Sequence, residues 1–470
     1  MEENVLEKNQ SPWVFAFVLL FCVELFIQIG LYGIRPIVSG YTVSLGGTYA
    51  LAGFLAGLMS LVSLVARPLC GAVIDRFNRF NLLVATTLVL IVFSAICGMA
   101  QSILGIAICE SARGVAFTFK SALITAMCTL IIPHERLGWG IGVINLGFTV
   151  SGAIGPLLSS FLLVYFDYPS CFFFASGISC VAFLLLLIMK ARTSFFNQPK
   201  ADGRAGTQAG EQADTQTSTQ PDSVQFDTYA DETQTAMQGS SAQAAMQPFL
   251  DDASITDNPE NAPAEEAYTS SRKNVRAASA LIRILRKMFY LPVLPYSFIG
   301  GLLAFSYGSM LGLLYLVQDE GYVTNASLYF VVFTAFVVVA RIVGGRLSDT
   351  KGVKIVIPMI VISLVGSIPI IFSGSTPCLL MFAVTMGVGQ GPVFGILQAD
   401  AMKHAPEEEL GKVSNTSFII MDLFMGISPF IGGVVLEVFG CQGLFLTISV
   451  LFAVALGFTW RTLKRNGTLR

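Results

Sequence analysis

The sequence predicts an all-α polytopic membrane protein, with 12 transmembrane helices in two pseudo-symmetric six-helix bundles. Three observations carry that expectation. Of the 470 residues, 54% are hydrophobic and 12% charged, with mean hydropathy +0.70, whereas a soluble domain carries about 25% charged residues. This composition supplies too little polar surface for a soluble chain of that length, which rules out an ordinary cytosolic enzyme. Apolar stretches long enough to cross about 30 Å of hydrocarbon, roughly 20 residues each, recur in two sets of six. Residues also repeat between the sets: Arg67, Gly71 and Asp75 have the same spacing as Arg341, Gly345 and Asp349, and Pro133, Gly138 and Pro156 the same as Pro406, Gly411 and Pro429. Matching intervals of this kind mark an internal duplication.

The first set of spans runs at about 13–38, 47–70, 80–100, 102–131, 137–165 and 168–190. Span one lacks a basic n-region and a clear cleavage site and carries Glu24 and Gln28, so it reads as a retained helix. The second set runs at about 292–317, 325–346, 353–373, 377–403, 410–438 and 440–462. The chain thus divides into a first bundle at 1–192, a segment at 193–270, a basic stretch at 271–290 and a second bundle at 291–470. Segment 193–270 is rich in Gln, Thr, Ser, Asp and Glu, which predicts a disordered cytoplasmic linker. The basic stretch reads either as an amphipathic helix on the anionic inner leaflet or as the basic flank of the seventh span.

Lys and Arg in the short loops, from Arg76 and Arg79 through Arg346 and Lys351 to Lys464 and Arg465, fall on the side shared by both termini. Translocating them is disfavoured, so both termini are expected in the cytoplasm, with the chain in the inner membrane. The opposite loops hold Asp167, Asp319, Glu320 and Glu437. A net charge of -2 without a long basic run leaves no nucleic-acid footprint. The nine cysteines sit in apolar runs without paired spacing and read as free thiols. His134 and His404 have no nearby second ligand, and Lys412 lacks the rest of a phosphate loop, so no metal and no cofactor are expected. The expected company is the lipid bilayer, with the chain as a monomer.

Ionisable groups inside spans each cost roughly 2.5–3.5 kcal/mol on an insertion scale and so point to function. Glu24, Gln28 and Arg35 share one face of the first helix, and Glu110, Arg113 and Lys120 share one face of the fourth. In the second half Asp422 is the main buried acid, with Gln390 and Gln398 on the tenth span. Each group reads as a pathway residue or as a structural ion pair or end group, and Asp422 as a titrating site or a helix–helix hydrogen bond.

The stretch from Gly71 through Asp75, Arg76 and Arg79, with its counterpart from Gly345 through Asp349 to Lys351, resembles the signature between the second and third helices of the major facilitator superfamily. The resemblance implies that the glycines allow close helix approach and that Asp75, Arg76 and Arg79 form a charge lock at the cytoplasmic rim. The second copy is weaker, with Thr350 where Arg76 stands. Arg113-Gly114 is similar to the intramembrane arginine motif of proton-coupled members. Gly152, Gly155 and Pro156 are similar to the glycine–proline hinge of the antiporter branch, although Ser159 and Ser160 replace its usual glycines; Pro429 occupies the matching place in the second half. In the resembled fold the first and fourth helices line one cavity, where Glu24 or Glu110 neutralises Arg113 or Lys120. If Arg113 takes one acid, Lys120 is expected to need another partner, such as a substrate anion or its own deprotonation.

The function so implied is secondary transport of a small organic molecule by alternating access, with protons as the coupling ion, most like the bacterial drug and metabolite efflux permeases. The alternative within transport is uptake or exchange of an organic anion, encouraged by Arg113 and Lys120. Outside transport, the rivals are a receptor or scaffold and an integral membrane enzyme, for which the spans and short loops supply no nucleophile or acid–base cluster.

Overall fold

The computed structural model describes residues 12–133, 136–192, 289–406 and 409–465. The expected linker and the basic stretch, apart from its last two residues, lie outside them, as do the side chains of Gly71, Asp75 and Asp349, so the expected charge lock falls outside the described residues. Described residues are helical almost throughout. The first half comprises α1 (Pro12–Ser44), α2 (Tyr49–Arg76), α3 (Arg79–Met99), α4 (Ile103–Ile131), α5 (Leu137–Tyr165) and α6 (Tyr168–Arg192). The second comprises α7 (Leu294–Asp319), α8 (Ala326–Lys351), α9 (Val356–Phe372), α10 (Thr376–Lys403) and the helical run Leu410–Arg465.

That last run has 56 residues, roughly 80 Å at 1.5 Å per residue and far more than the hydrocarbon thickness. It is broken at Gly440, whose φ of 66° and ψ of -170° lie outside the helical region and are readily reached by glycine. The run is therefore two crossings, α11 (410–439) and α12 (441–465), which brings the described helices of membrane length to twelve.

Side chains start several of these helices. Thr48 caps α2 and Ser102 caps α4 through their hydroxyls, and the Asn78 carboxamide accepts two backbone N–H bonds at the start of α3. Asp167 caps α6, accepting from the backbone N–H of Ser170 at 3.1 Å and its hydroxyl at 2.6 Å. These bonds hold the Asp167 carboxyl below its ordinary range.

Each half has its own core. Leu20, Leu83, Leu123 and Leu186 are among the fully buried residues of the first, and Leu314, Phe330, Phe382 and Phe445 among those of the second. The pairing of helices repeats. Ser176 of α6 donates to the Ile91 carbonyl of α3 at 3.0 Å, and Ser449 of α12 bonds Ser367 of α9 at 2.8 Å. Ser159 of α5 donates to the Gly33 carbonyl of α1 at 2.6 Å, while Ser417 of α11 bonds Ser297 of α7 at 3.1 Å. Large apolar side chains such as Val65, Phe161, Val164 and Phe439 are exposed, as expected where the outer solvent is lipid. All nine cysteines are free.

The halves meet along α2 against α11, α5 against α8 and α1 against α7. A Cβ on Gly53 or Gly57 would collide with the carbonyl oxygen of Pro429 or Gly426, and one on Gly433 with that of Tyr49. Small residues thus let the two backbones touch. At the same end the Tyr49 hydroxyl bonds the Glu320 carboxylate, the Ala50 N–H donates to Glu437 at 3.1 Å, and the Tyr315 hydroxyl donates to the Pro156 carbonyl at 2.7 Å. The end of the bundles carrying Asp167, Asp319, Glu320 and Glu437 is therefore sealed.

Candidate functional site

With that end sealed, the space between the halves opens from mid-bundle toward the end that carries the Arg and Lys residues. It is a cavity of about 910 Å³, within the range of small-molecule sites. Its walls come from α1, α2, α4 and α5 of one half and α8, α10 and α11 of the other. Glu24, Gln28 and Arg35 project from α1, Arg67 from α2, Arg341 from α8, Gln398 from α10 and Asp422 from α11. Apolar and aromatic side chains, including Phe117, Phe148, Phe394 and Phe418, supply much of the remaining wall.

Three ion pairs organise the charges. Lys120, fully buried, places its ammonium 2.9 and 2.8 Å from the two Glu24 oxygens, and Gln28 donates to one of them at 2.8 Å. Arg113 pairs with Glu110 one turn away on the same helix, both out of contact with solvent and cavity. Arg67 grips Asp422 through Nε at 2.8 Å and through Nη2, and this pair joins α2 of the first half to α11 of the second. Two further cations take neutral partners. Arg35 donates to Ser60 at 3.3 Å and to the Met425 sulfur at 3.9 Å, over the rings of Tyr32 and Phe117. Arg341 donates to the Gly391 carbonyl at 3.1 Å and to Thr149 of the other half at 2.7 Å.

Several expectations are corrected by this geometry. Glu110, Arg113 and Lys120 lie behind the cavity wall rather than on it, because each cation finds its acid within the first bundle. The Lys120 ammonium already has its partner in Glu24, so the structure does not leave it waiting for a substrate anion. Gln390 also stands off the cavity and donates to the Leu303 carbonyl at 2.6 Å. A Cβ on Gly345 would meet nothing within 4 Å, and this glycine lines the cavity; close packing falls to the preceding Gly344, where a Cβ would come within 2.8 Å of Pro392. A Cβ on Gly155 would come within 2.7 Å of the Gly33 nitrogen of α1, so the two helices pack tightly there, whereas one on Gly152 would first meet the Tyr307 hydroxyl of the other half, at 3.4 Å. Pro156 and Pro429 both stand at contacts between the halves. Arg76 is exposed and Arg79 half-buried at the arginine-rich end.

Arg67 and Arg341 were singled out in the sequence only as repeat markers, yet both line the cavity. Their matching positions, one before each glycine–aspartate signature, were the available signal.

The model of the Major Facilitator Superfamily matches residues 20–427. The multidrug resistance protein MdtG of Dickeya zeae is 28% identical over 157 residues, 32% of this chain and 38% of that protein. An uncharacterized MFS-type transporter of Methanocaldococcus jannaschii is 25% identical over 196 residues, 42% of this chain and 48% of its own length. The chain thus matches less than half the length of these relatives. A crystal structure of a bacterial homologue of the human lysosomal transporter Spinster, inward-facing and unoccupied, superposes with TM-score 0.66 over 96% of this chain and 97% of that one, at 12% identity. Twelve helices in two matched bundles around one cavity, together with a family match over most of the length, establish that the chain belongs to the major facilitator superfamily.

Proposed function

We propose that this transporter exports a small organic molecule from the cytoplasm by alternating access, driven by protons moving the other way. The observation that carries the coupling is the Arg67–Asp422 pair, which ties the two bundles together at the cavity. Protonating Asp422 removes the charge that Arg67 holds. A proton arriving from the acid-rich side breaks the pair and lets the bundles move relative to each other, and its loss to the cytoplasm restores the pair in the arrangement seen here, open at the arginine-rich end to receive cargo. Ion pairs of this kind have two discrete arrangements, as a two-state carrier requires. The Lys and Arg bias supports a reading with the arginine-rich end in the cytoplasm and the chain in the inner membrane. The MdtG relatives, named for multidrug resistance, favour export.

The test is transport in proteoliposomes under an imposed pH gradient, using a panel of organic compounds. Wild type is expected to move at least one compound faster with the gradient. Asp422→Asn is expected to keep exchange of that compound between the two sides but to lose the gradient's effect. Retention of the wild-type pH dependence by this variant would make Asp422 structural and turn the search to Glu24.

A further inference from the structure

We infer that the cavity selects amphiphilic organic anions, with Arg35 and Arg341 as the pair that binds the anionic group. The inference rests on reading the cavity as the transport site and adds the class of cargo. Among the described residues, the middle of the spans holds the acids Glu24, Glu110 and Asp422 and the bases Arg35, Arg67, Arg113, Lys120 and Arg341. Each acid is engaged by its own cation, Lys120, Arg113 or Arg67. Arg35 acts on Glu110 and Asp422 only as a more distant charge. Two guanidiniums are left with neutral partners: a hydroxyl, a thioether and ring faces for Arg35, a hydroxyl and a carbonyl for Arg341.

Their placement gives this surplus a direction. Both line the cavity, one from each half, together with Tyr32, over whose ring the Arg35 guanidinium lies. A carboxylate, sulfonate or phosphate in that cavity meets planar donor forks in a space of low dielectric, where charge-assisted bonds are strongest. A neutral compound gains none of this, and a cation is repelled. For the rest of the cargo the walls offer Phe117, Phe148, Phe394, Phe418, Met421 and Met425, surfaces suited to a flat or greasy body. The pair also ties binding to motion. Two like charges in opposite bundles repel, and an anion held between them turns that repulsion into a bridge, so that a loaded carrier closes more readily than an empty one.

The test uses the full chain in lipid nanodiscs and three probes with one body: 2-naphthoate, 2-naphthamide and 2-naphthylmethylammonium. Calorimetry should show 2-naphthoate binding about tenfold or more tightly than the amide, the worth of one charge-assisted hydrogen bond, and no binding of the ammonium. Arg35→Gln and Arg341→Gln should each weaken 2-naphthoate about tenfold while leaving the amide unchanged, and Arg35→Lys should recover part of the loss. Absence of 2-naphthoate binding, equal affinity for acid and amide, or wild-type affinity in both folded glutamine variants overturns the inference. If Arg35→Gln fails to fold, Arg341→Gln decides, because its side chain stands open to the cavity. Counterflow of labelled probes separates the two readings. Arginine-dependent binding without counterflow keeps the anion site and overturns transport, whereas counterflow of the amide or the ammonium but not the acid keeps transport and overturns the anion site.

Discussion

Lys120 has no exposed surface, and its ammonium is held between both oxygens of Glu24. Taking either partner away strands the other as a lone charge among apolar neighbours, which typically costs about 3–5 kcal/mol. Lys120→Met is therefore expected to lower the melting temperature of the purified protein sharply. Glu24→Gln combined with Lys120→Met should regain most of the loss, because an uncharged pair needs no compensation. A double variant as unstable as the single would show that Lys120 owes its place to something other than Glu24. The sequence shows Glu24, Glu110, Arg113 and Lys120 on two helix faces, but which acid takes which cation was not legible. Glu110 and Arg113 pair at i,i+3 within one helix, and that local choice hands Glu24 to Lys120. Arg35 and Arg341 were harder still: a cation that keeps neutral partners is recognised only after every acid has been assigned.

At the scale of the helices, α2 and α11 approach through glycine rather than through large side chains, and this seals the acid-rich end. Gly57 lies against the Gly426 backbone with no room for a Cβ. Gly57→Leu should hold the two helices apart there and bias the carrier toward the state open on that side. A cysteine introduced at Ala56, whose side chain lies where a Cβ on Gly312 of α7 would point, should then react faster with an impermeant maleimide supplied from the acid-rich side. An unchanged labelling rate would mean that the contact is dispensable to closure. Helix positions themselves were largely legible: spans expected at 80–100, 102–131 and 137–165 match Arg79–Met99, Ile103–Ile131 and Leu137–Tyr165. Apolar length and a capping side chain such as Ser102 are properties of short stretches of chain. The open face of Gly345 was not legible, because whether a glycine packs or lines a cavity depends on a neighbour distant in sequence.

Across the described residues, the buried clusters divide between the halves, with Tyr32 and Ala52 of the first buried in the core of the second and Val43, Tyr49 and Phe148 packed against it. The repeated intervals made this two-part plan legible, since a duplicated unit must bury its own apolar faces before it can pair. A core of its own gives each half the means to fold separately. What joins the halves among the described residues is packing of α2 on α11, α5 on α8 and α1 on α7, with polar ties from Tyr49, Arg67, Tyr315 and Arg341. A chain cut within 193–288 and expressed as two polypeptides should therefore assemble, because none of these contacts needs a covalent link. Affinity purification through a tag on residues 289–470 should bring down the first half, and the reassembled pair should show the compound exchange of the intact chain. Arg67→Ala in the first polypeptide removes a tie but none of the glycine packing, so it should reduce recovery of the pair without abolishing it. Failure of the unmodified halves to copurify, with each one folded, would mean that the intervening segment is itself required to hold the two bundles together.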